Sequence, residues 1–226
     1  MRRVLVGTPS YDGKVDVRFA DSLMGSTRLC WQAGIDLRAI YLSYDASLPN
    51  ARNSLVALAL KNGFSDLIFI DADQDWEPAW VPKLLAYPVD CVGAAVRKKT
   101  DEREMYNVRV SGGVAAMKQD RNTGLWTAPD MSVGTGFLRV TCTALRKLWD
   151  AAEKYTDADG RVPMAWIFEM RPEGGRLVSE DTFLCDKLRA IGIAVWVDPD
   201  MNPGHTGMKH FEGNFRGYIQ GLMNQK

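Results

Sequence analysis

The chain has 226 residues, with 28 Lys and Arg against 28 Asp and Glu, for a formal net charge of +0. That balance excludes a global field drawing the protein to nucleic acid or to a membrane surface, while a local basic patch stays open. A hydrophobic fraction of 46% and a charged fraction of 25% fit an ordinary soluble globular protein, with one large α/β domain or one domain and a small lobe. Cys30, Cys91, Cys142 and Cys185 lie far apart, with no Cys-x-x-Cys pair, so reduced thiols in or near the core are expected rather than a zinc site or disulfide framework. No stretch approaches the roughly eighteen apolar residues of a membrane span, and the apolar run after Met1 is too short for a signal peptide. A reducing, cytoplasmic setting is the expectation.

In chain order, Val4-Leu5-Val6 is a short buried strand, followed by the turn-rich loop from Gly7 to Gly13. A helix is expected from Val17 to Ala33, stopped at Gly34, and a second strand from Ile35 to Leu42. Pro49 opens a helix over 50–62, with Gly63 at its end. Leu67-Ile68-Phe69-Ile70 is a continuous apolar run of the kind found in strands buried on both faces. A short helix to Ala86 and a strand from Val89 to Val96 complete a β-α-β-α-β-α-β alternation, which predicts a parallel sheet wrapped by helices. The mixed-charge segment 97–104 is expected to be a solvated loop, or else a lid or basic patch on the acceptor side. Short strands over 108–117 and 124–131 flank a turn at 120–122. A glycine-bearing strand over 133–140, a helix over 143–154 and a loop at 156–160 follow. Ser179 can cap a helix running to about Ile191; a strand over 193–197 and a terminal helix over 211–223 end the chain.

The third strand runs straight into Asp71-Ala72-Asp73. Side chains alternate along an extended chain, so the two aspartates, one residue apart, point the same way and their carboxylates share a face. The carboxyl end of a central strand is where open α/β sheets bind ligands. Two such charges repel each other unless a cation or donors offset them, which suggests a divalent metal carrying a phosphorylated donor.

Five segments recur in order: Ala51-Arg52-Asn53, Ile70-Asp71-Ala72-Asp73, Gly134-Thr135-Gly136-Phe137, Ser179-Glu180-Asp181 and Gly204-His205-Thr206-Gly207. Together they resemble a compact nucleotide-sugar-dependent glycosyltransferase of the GT-A fold, of the type encoded by viruses and bacteriophages. The resemblance implies a Rossmann-like, mostly parallel central sheet flanked by helices, with a small additional β region. It makes 1–226 a single domain, with 1–96 as the nucleotide-binding half and 97–226 as the acceptor and catalytic half. Asp71 and Asp73 match the family's Asp-x-Asp motif, in which the second aspartate ligates Mn²⁺ or Mg²⁺ on the donor's phosphates and the first holds the ribose or joins the metal shell. His205 matches a C-terminal histidine that completes that shell, and Lys209 stands where a cation can reach a phosphate. Asp181 matches the catalytic base of inverting members, with Glu180 beside it as an acceptor or sugar contact; acids also suit the start of a helix for its dipole alone. Arg52 and Asn53 match a stretch lying against the nucleotide, Thr8 and Pro9 fall where the family cradles uracil, and Ala72 sits between the two aspartates. Gly134 and Gly136 permit close approach to a ligand or a left-handed turn. Trp76 can stack on a sugar, although packing is the commoner fate of such a residue.

The implied donor is a UDP-sugar and the acceptor a hydroxyl compound. The virus-like type opens hydroxymethylated pyrimidine in DNA as that acceptor, with Arg97, Lys98, Lys99 and Arg103 on phosphates, and a host cytoplasm as the location. A glycan or protein acceptor is the equal alternative. Two other classes compete: a haloacid-dehalogenase-like phosphatase with Asp71 as nucleophile, and a nucleotide-sugar-binding module without turnover.

Overall fold

Arg2–Ser10 (β1) and Ile35–Ser43 (β2) pair in parallel along their whole lengths, Arg2 opposite Ile35 through Ser10 opposite Ser43. The computed structural model describes residues 1–101, 103–157, 160–207 and 209–224. Helix α1 (Val17–Gln32) connects the two strands. Asp16 caps it by accepting from the Arg18 N–H, and Gly34 at φ 73° turns the chain out of it. The buried positions Phe19, Ser22, Ser26 and Cys30 fall three or four residues apart, which is one face of a helix laid on the sheet. Helix α2 (Leu48–Lys61) starts on Ser47 with Pro49 in its first turn. It leads to β3 (Asp66–Ile70), whose five residues are all buried.

The short β4 (Gln74–Asp75), α3 (Trp80–Ala86) and β5 (Cys91–Ala94) follow, then four two-residue strands, β6 (Val108–Arg109), β7 (Lys118–Gln119), β8 (Trp126–Thr127) and β9 (Ser132–Val133). After β10 (Phe137–Thr141) and α4 (Cys142–Ala151) come the hairpins β11 (Lys154–Thr156) with β12 (Pro163–Ala165) and β13 (Arg171–Glu173) with β14 (Arg176–Val178). Helix α5 (Glu180–Ala190), β15 (Val195–Asp198), β16 (Gly204–Thr206), β17 (His210–Phe211) and α6 (Phe215–Met223) complete the order. The main sheet has eight strands in the order β2-β1-β3-β10-β5-β15-β8-β7. Its helices and mostly parallel strands make it the expected Rossmann-like α/β class, with the small additional β region supplied by β17-β16-β4.

Several expectations need correction. The sheet is not wholly parallel, because β10 inserts antiparallel between β3 and β5. An apolar run specifies burial on both faces, not the direction of travel, so the pattern could not show this. Strand β10 also carries the fully buried Arg139, whose guanidinium donates to the carbonyls of Leu84 in α3 and of Tyr87 and Val89 just beyond it, with Asp66 3.7 Å away as counter-charge. The terminal helix begins at Phe215 rather than Phe211, since Phe211 pairs with His205 and Asn214 caps the helix through Gly217 N–H. Helix α4 ends at Ala151, and Lys154 already belongs to a hairpin that no sequence pattern marked. Of the loop expected at 156–160, Ala158 and Asp159 lie outside the described residues, as Glu102 does for the 97–104 segment. All four cysteines are buried and unbridged, and burial pushes the Cys185 thiol up to about 12. No helix among the described residues is long and apolar enough to cross a membrane.

Asn53 shows how the second half of the chain is tied to α2. Its Oδ1 accepts from the backbone N–H groups of Phe168 (2.8 Å) and Ile167 (3.3 Å), and its Nδ2 donates to the Phe168 carbonyl and Tyr155 hydroxyl. Removing it strands buried backbone groups, so Asn53→Ala should lower the unfolding free energy by about 2–4 kcal/mol in urea titrations. A change within a few tenths would mean that water replaces the clasp.

Candidate active site

Strand β1 is followed by a connection to β2 on one side, and α2 then carries the chain back to β3 on the other. The point between β1 and β3 is therefore where the strand order reverses, and a crevice opens at the carboxyl ends of both strands. A cleft of about 670 Å³ occupies this position, and its walls include Pro9, Tyr11, Asp71, Asp73, His205 and Thr206.

The two aspartates do not continue the strand. The Gln74 N–H bonds to the Asp71 carbonyl (3.1 Å), closing a turn over 71–74, while the Asp71 N–H bonds to the Gly136 carbonyl (3.0 Å). The alternation rule fails once the chain turns, and the carboxylates part company. Asp71 accepts from Arg52 Nη2 (2.9 Å), whereas Asp73 faces His205 and Lys99.

His205 reaches Asp73 through two short strands. Antiparallel pairing sets His205 opposite Gln74, and the Thr206 N–H bonds to the Asp73 carbonyl (2.8 Å). The ring Nδ1 lies 2.8 Å from the Arg97 carbonyl. A carbonyl only accepts, so Nδ1 carries a proton, which leaves Nε2 as the bare nitrogen whenever the ring is neutral. That Nε2 stands 3.6 Å from Asp73 Oδ1, a buried oxygen with no hydrogen-bond donor. Burial alone would raise the Asp73 carboxyl, but Lys99 and, once its ring is protonated, His205 outweigh it and hold the carboxyl below its ordinary value. An orphaned carboxylate oxygen facing an imidazole lone pair is a donor set that fits Mg²⁺ or Mn²⁺, ions that take few protein ligands and complete their shells with water and phosphate oxygens. Among the described residues no third His, Cys, Asp or Glu joins them.

Sequence reasoning missed Lys99 as part of this site. The two ends of the charged segment are pinned to each other rather than free: Lys98 N–H bonds to the Met105 carbonyl, Asn107 N–H to the Val96 carbonyl, and Arg97 bridges to Tyr106. Lys99 turns inward from it and pairs with Asp73 Oδ2. Arg97 lies over the Phe211 ring and donates to the Glu212 carbonyl.

A smaller compartment of about 190 Å³ adjoins the cleft, sharing Asp71 and His205 with it and lined further by Lys98, Thr135, Gly136 and Asp181. Beneath it Arg52, 2% exposed, bridges two carboxylates, giving Nη1 to Glu180 and Nη2 to Asp71. Ser179 holds the N-cap position of α5 without capping it. Its hydroxyl donates to Asp181 Oδ1, which also accepts the Thr182 N–H (2.7 Å). No donor to Asp181 Oδ2 is present among the described residues.

The remaining expected residues divide clearly. Pro9 and Ala72 line the cleft. Thr8 is fully buried in β1 and does not reach it. Asn53 is the clasp described above, with no group free for a nucleotide. Trp76 is core: it is 4% exposed, its indole N–H donates to Ser26, and it meets Phe19 and Phe137 edge-on. Gly134 leaves room for Asn107, whose Nδ2 would stand 2.4 Å from an added Cβ, and Gly136 leaves room for the Asp71 carboxylate. Close approach is thus to protein side chains, and neither glycine has a positive φ. Lys209 pairs with Asp101 and Glu180 with Arg52. His210 stands 3.4 Å from Asp75 and outside the cleft.

No protein-family model matches the sequence, and no curated protein matches it. Among solved structures, the chain is similar to A197 from STIV at 16% identity, with 92% of this chain and 86% of that one covered and a TM-score of 0.55. A glycosyltransferase involved in the glycosylation of the major capsid of PBCV-1 aligns with 65% of this chain and 63% of its own at 9% identity, with a TM-score of 0.37. Likeness at these identities concerns the fold alone.

Proposed function

We propose that this chain is a metal-dependent glycosyltransferase of the GT-A type, moving a sugar from a nucleoside diphosphate sugar, UDP-sugar by preference, to a hydroxyl acceptor with inversion. The observation that carries the reading is the orphaned Asp73 Oδ1 facing the bare Nε2 of His205 across 3.6 Å. It lies at the switch point of the sheet, in a cleft lined by Asp12, Asp16, Asp45, Asp71 and Asp73, with Lys14 the one lysine or arginine among the described lining residues. Such a cleft repels a diphosphate unless a cation comes with it. Asp73 and His205 would hold Mn²⁺ or Mg²⁺, which when bound acts as a Lewis acid toward the departing diphosphate.

The chain's own groups account for the rest. Arg52 fixes Asp71 at the floor, shared between cleft and compartment. Asp181, in the first turn of α5, accepts the acceptor hydroxyl's proton as that oxygen bonds to the anomeric carbon and the carbon–phosphate-oxygen bond breaks. Glu180, paired beneath the floor, positions rather than reacts. A phosphatase with Asp71 as nucleophile is the weaker reading, because Arg52 already holds that carboxylate. Of the four cations considered for DNA phosphates, Lys99 pairs with Asp73 and Arg97 is held on the Phe211 ring and the Glu212 carbonyl, which favours a glycan, protein or small hydroxyl acceptor over DNA.

The test is a thermal-shift series with UDP-sugars, with Mn²⁺ and with EDTA. A ligand at a hundred times its Kd stabilises by about 2.7 kcal/mol, or roughly 5–10 °C for a chain of this size. The rise should require metal and nucleotide together. An equal rise in EDTA would defeat the metal-dependent reading, and binding without release of nucleoside diphosphate for any acceptor would mark a binding module.

A further inference from the structure

We propose that Lys99 is a resident counter-cation of Asp73, which gives way to the divalent ion and then pairs with the donor's diphosphate; the proposal rests on the transferase reading above. The Asp73 carboxylate has two faces. Oδ2 receives the Lys99 ammonium, while Oδ1 is left to His205. A divalent ion at Oδ1 therefore arrives beside a like charge that is already in place.

The pair is built to separate. Its two side chains are 34% and 41% exposed, so the ammonium can swing away through solvent without disturbing the core, and half-exposed ion pairs are weak. The lysine stem lies across Gly207, where an added Cβ would stand 3.0 Å from Lys99 Cδ. The absence of a side chain there keeps the path of the stem open beside His205 and Thr206. Two other cations near the site are otherwise engaged: Lys209 with Asp101, and Arg97 with the Glu212 carbonyl and the Phe211 ring. Lys99 alone among these has for its partner a proposed metal ligand.

The consequence is selectivity for the metal–nucleotide complex over free metal. Free Mn²⁺ must displace an ammonium and gains nothing from its release. Mn²⁺ carrying a diphosphate gives the released ammonium a new anionic partner, for which a lysine serves as a point charge. Metal and nucleotide then help each other bind, by the same factor in either direction.

The experiment measures Mn²⁺ alone by electron paramagnetic resonance, and UDP at saturating Mn²⁺ by calorimetry, on wild type, Lys99→Met and Lys99→Arg. Lys99→Met keeps the stem and removes the charge; its melting temperature without ligand reports folding. The expected result is opposite signs: Lys99→Met binds Mn²⁺ alone roughly threefold tighter, the scale of a half-exposed pair, and binds UDP with Mn²⁺ roughly tenfold weaker, the scale of one lost charged contact. Lys99→Arg should stay near wild type on both. If both affinities move the same way in Lys99→Met, or neither moves, Lys99 is only structural and the proposal is overturned. Wild-type protein that binds neither probe would instead sink the transferase reading, and this inference with it.

Discussion

Asp181→Asn is expected to reduce sugar transfer by two to four orders of magnitude while UDP binding in Mn²⁺ stays within about twofold of wild type, the range a positioned general base contributes. The substitution suits the local structure. Ser179 and the Thr182 N–H both donate to Oδ1, and an asparagine carbonyl oxygen can take both bonds, so the start of α5 should keep its shape. The change is confined to the second oxygen, which loses its capacity to accept a proton. A structural role would behave differently, lowering the melting temperature and UDP affinity together with the rate. The measurement is single-turnover transfer from UDP-sugar alongside calorimetric UDP binding; a rate within tenfold of wild type would remove Asp181 as the base and leave a retaining mechanism to be considered.

How much of this arrangement is visible in the residues depends on the range of the interaction. The strand ending at Ile70 is legible because five buried positions in succession have no helical period. The site at its tip follows from the general behaviour of open sheets. What happens next is not local. The carboxylates of Asp71 and Asp73 part because Gln74 closes a turn, and His205 arrives through a pairing between β16 and β4, strands of three and two residues. No period can be read from so short a strand, so only the resemblance brought that histidine to the aspartates. Lys99 was hidden for a similar reason: a run of mixed charges has the composition of solvated loop, and the backbone bonds pinning its two ends leave no mark in composition. Arg52, expected against the nucleotide, could have been read as an internal bridge. It lies three residues before Leu55 and seven before Ala59, on the buried face of α2, and an arginine at such a position calls for carboxylate partners inside the fold.

Those partners make Arg52→Met a large expected loss of stability. The guanidinium is 2% exposed and joins Glu180, at the start of the helix bearing Asp181, to Asp71, in the turn bearing Asp73. Taking one member from a buried ionic group costs about 3–5 kcal/mol, because the others remain as uncompensated charges. Asp71 is one-third exposed and can recover some hydration, so a loss near 3 kcal/mol is expected in chemical denaturation. Transfer activity should fall as well, since the helix start and the turn are then free to drift apart. The double variant Arg52→Met with Glu180→Gln separates charge from packing. If the penalty is an unpaired carboxylate, neutralising Glu180 should restore at least half of the lost stability without restoring transfer, because Asp71 and the α5 start stay unlinked. If stability and transfer return together, Arg52 serves only to neutralise Glu180, and the bridge between the two halves of the site is not what positions Asp181.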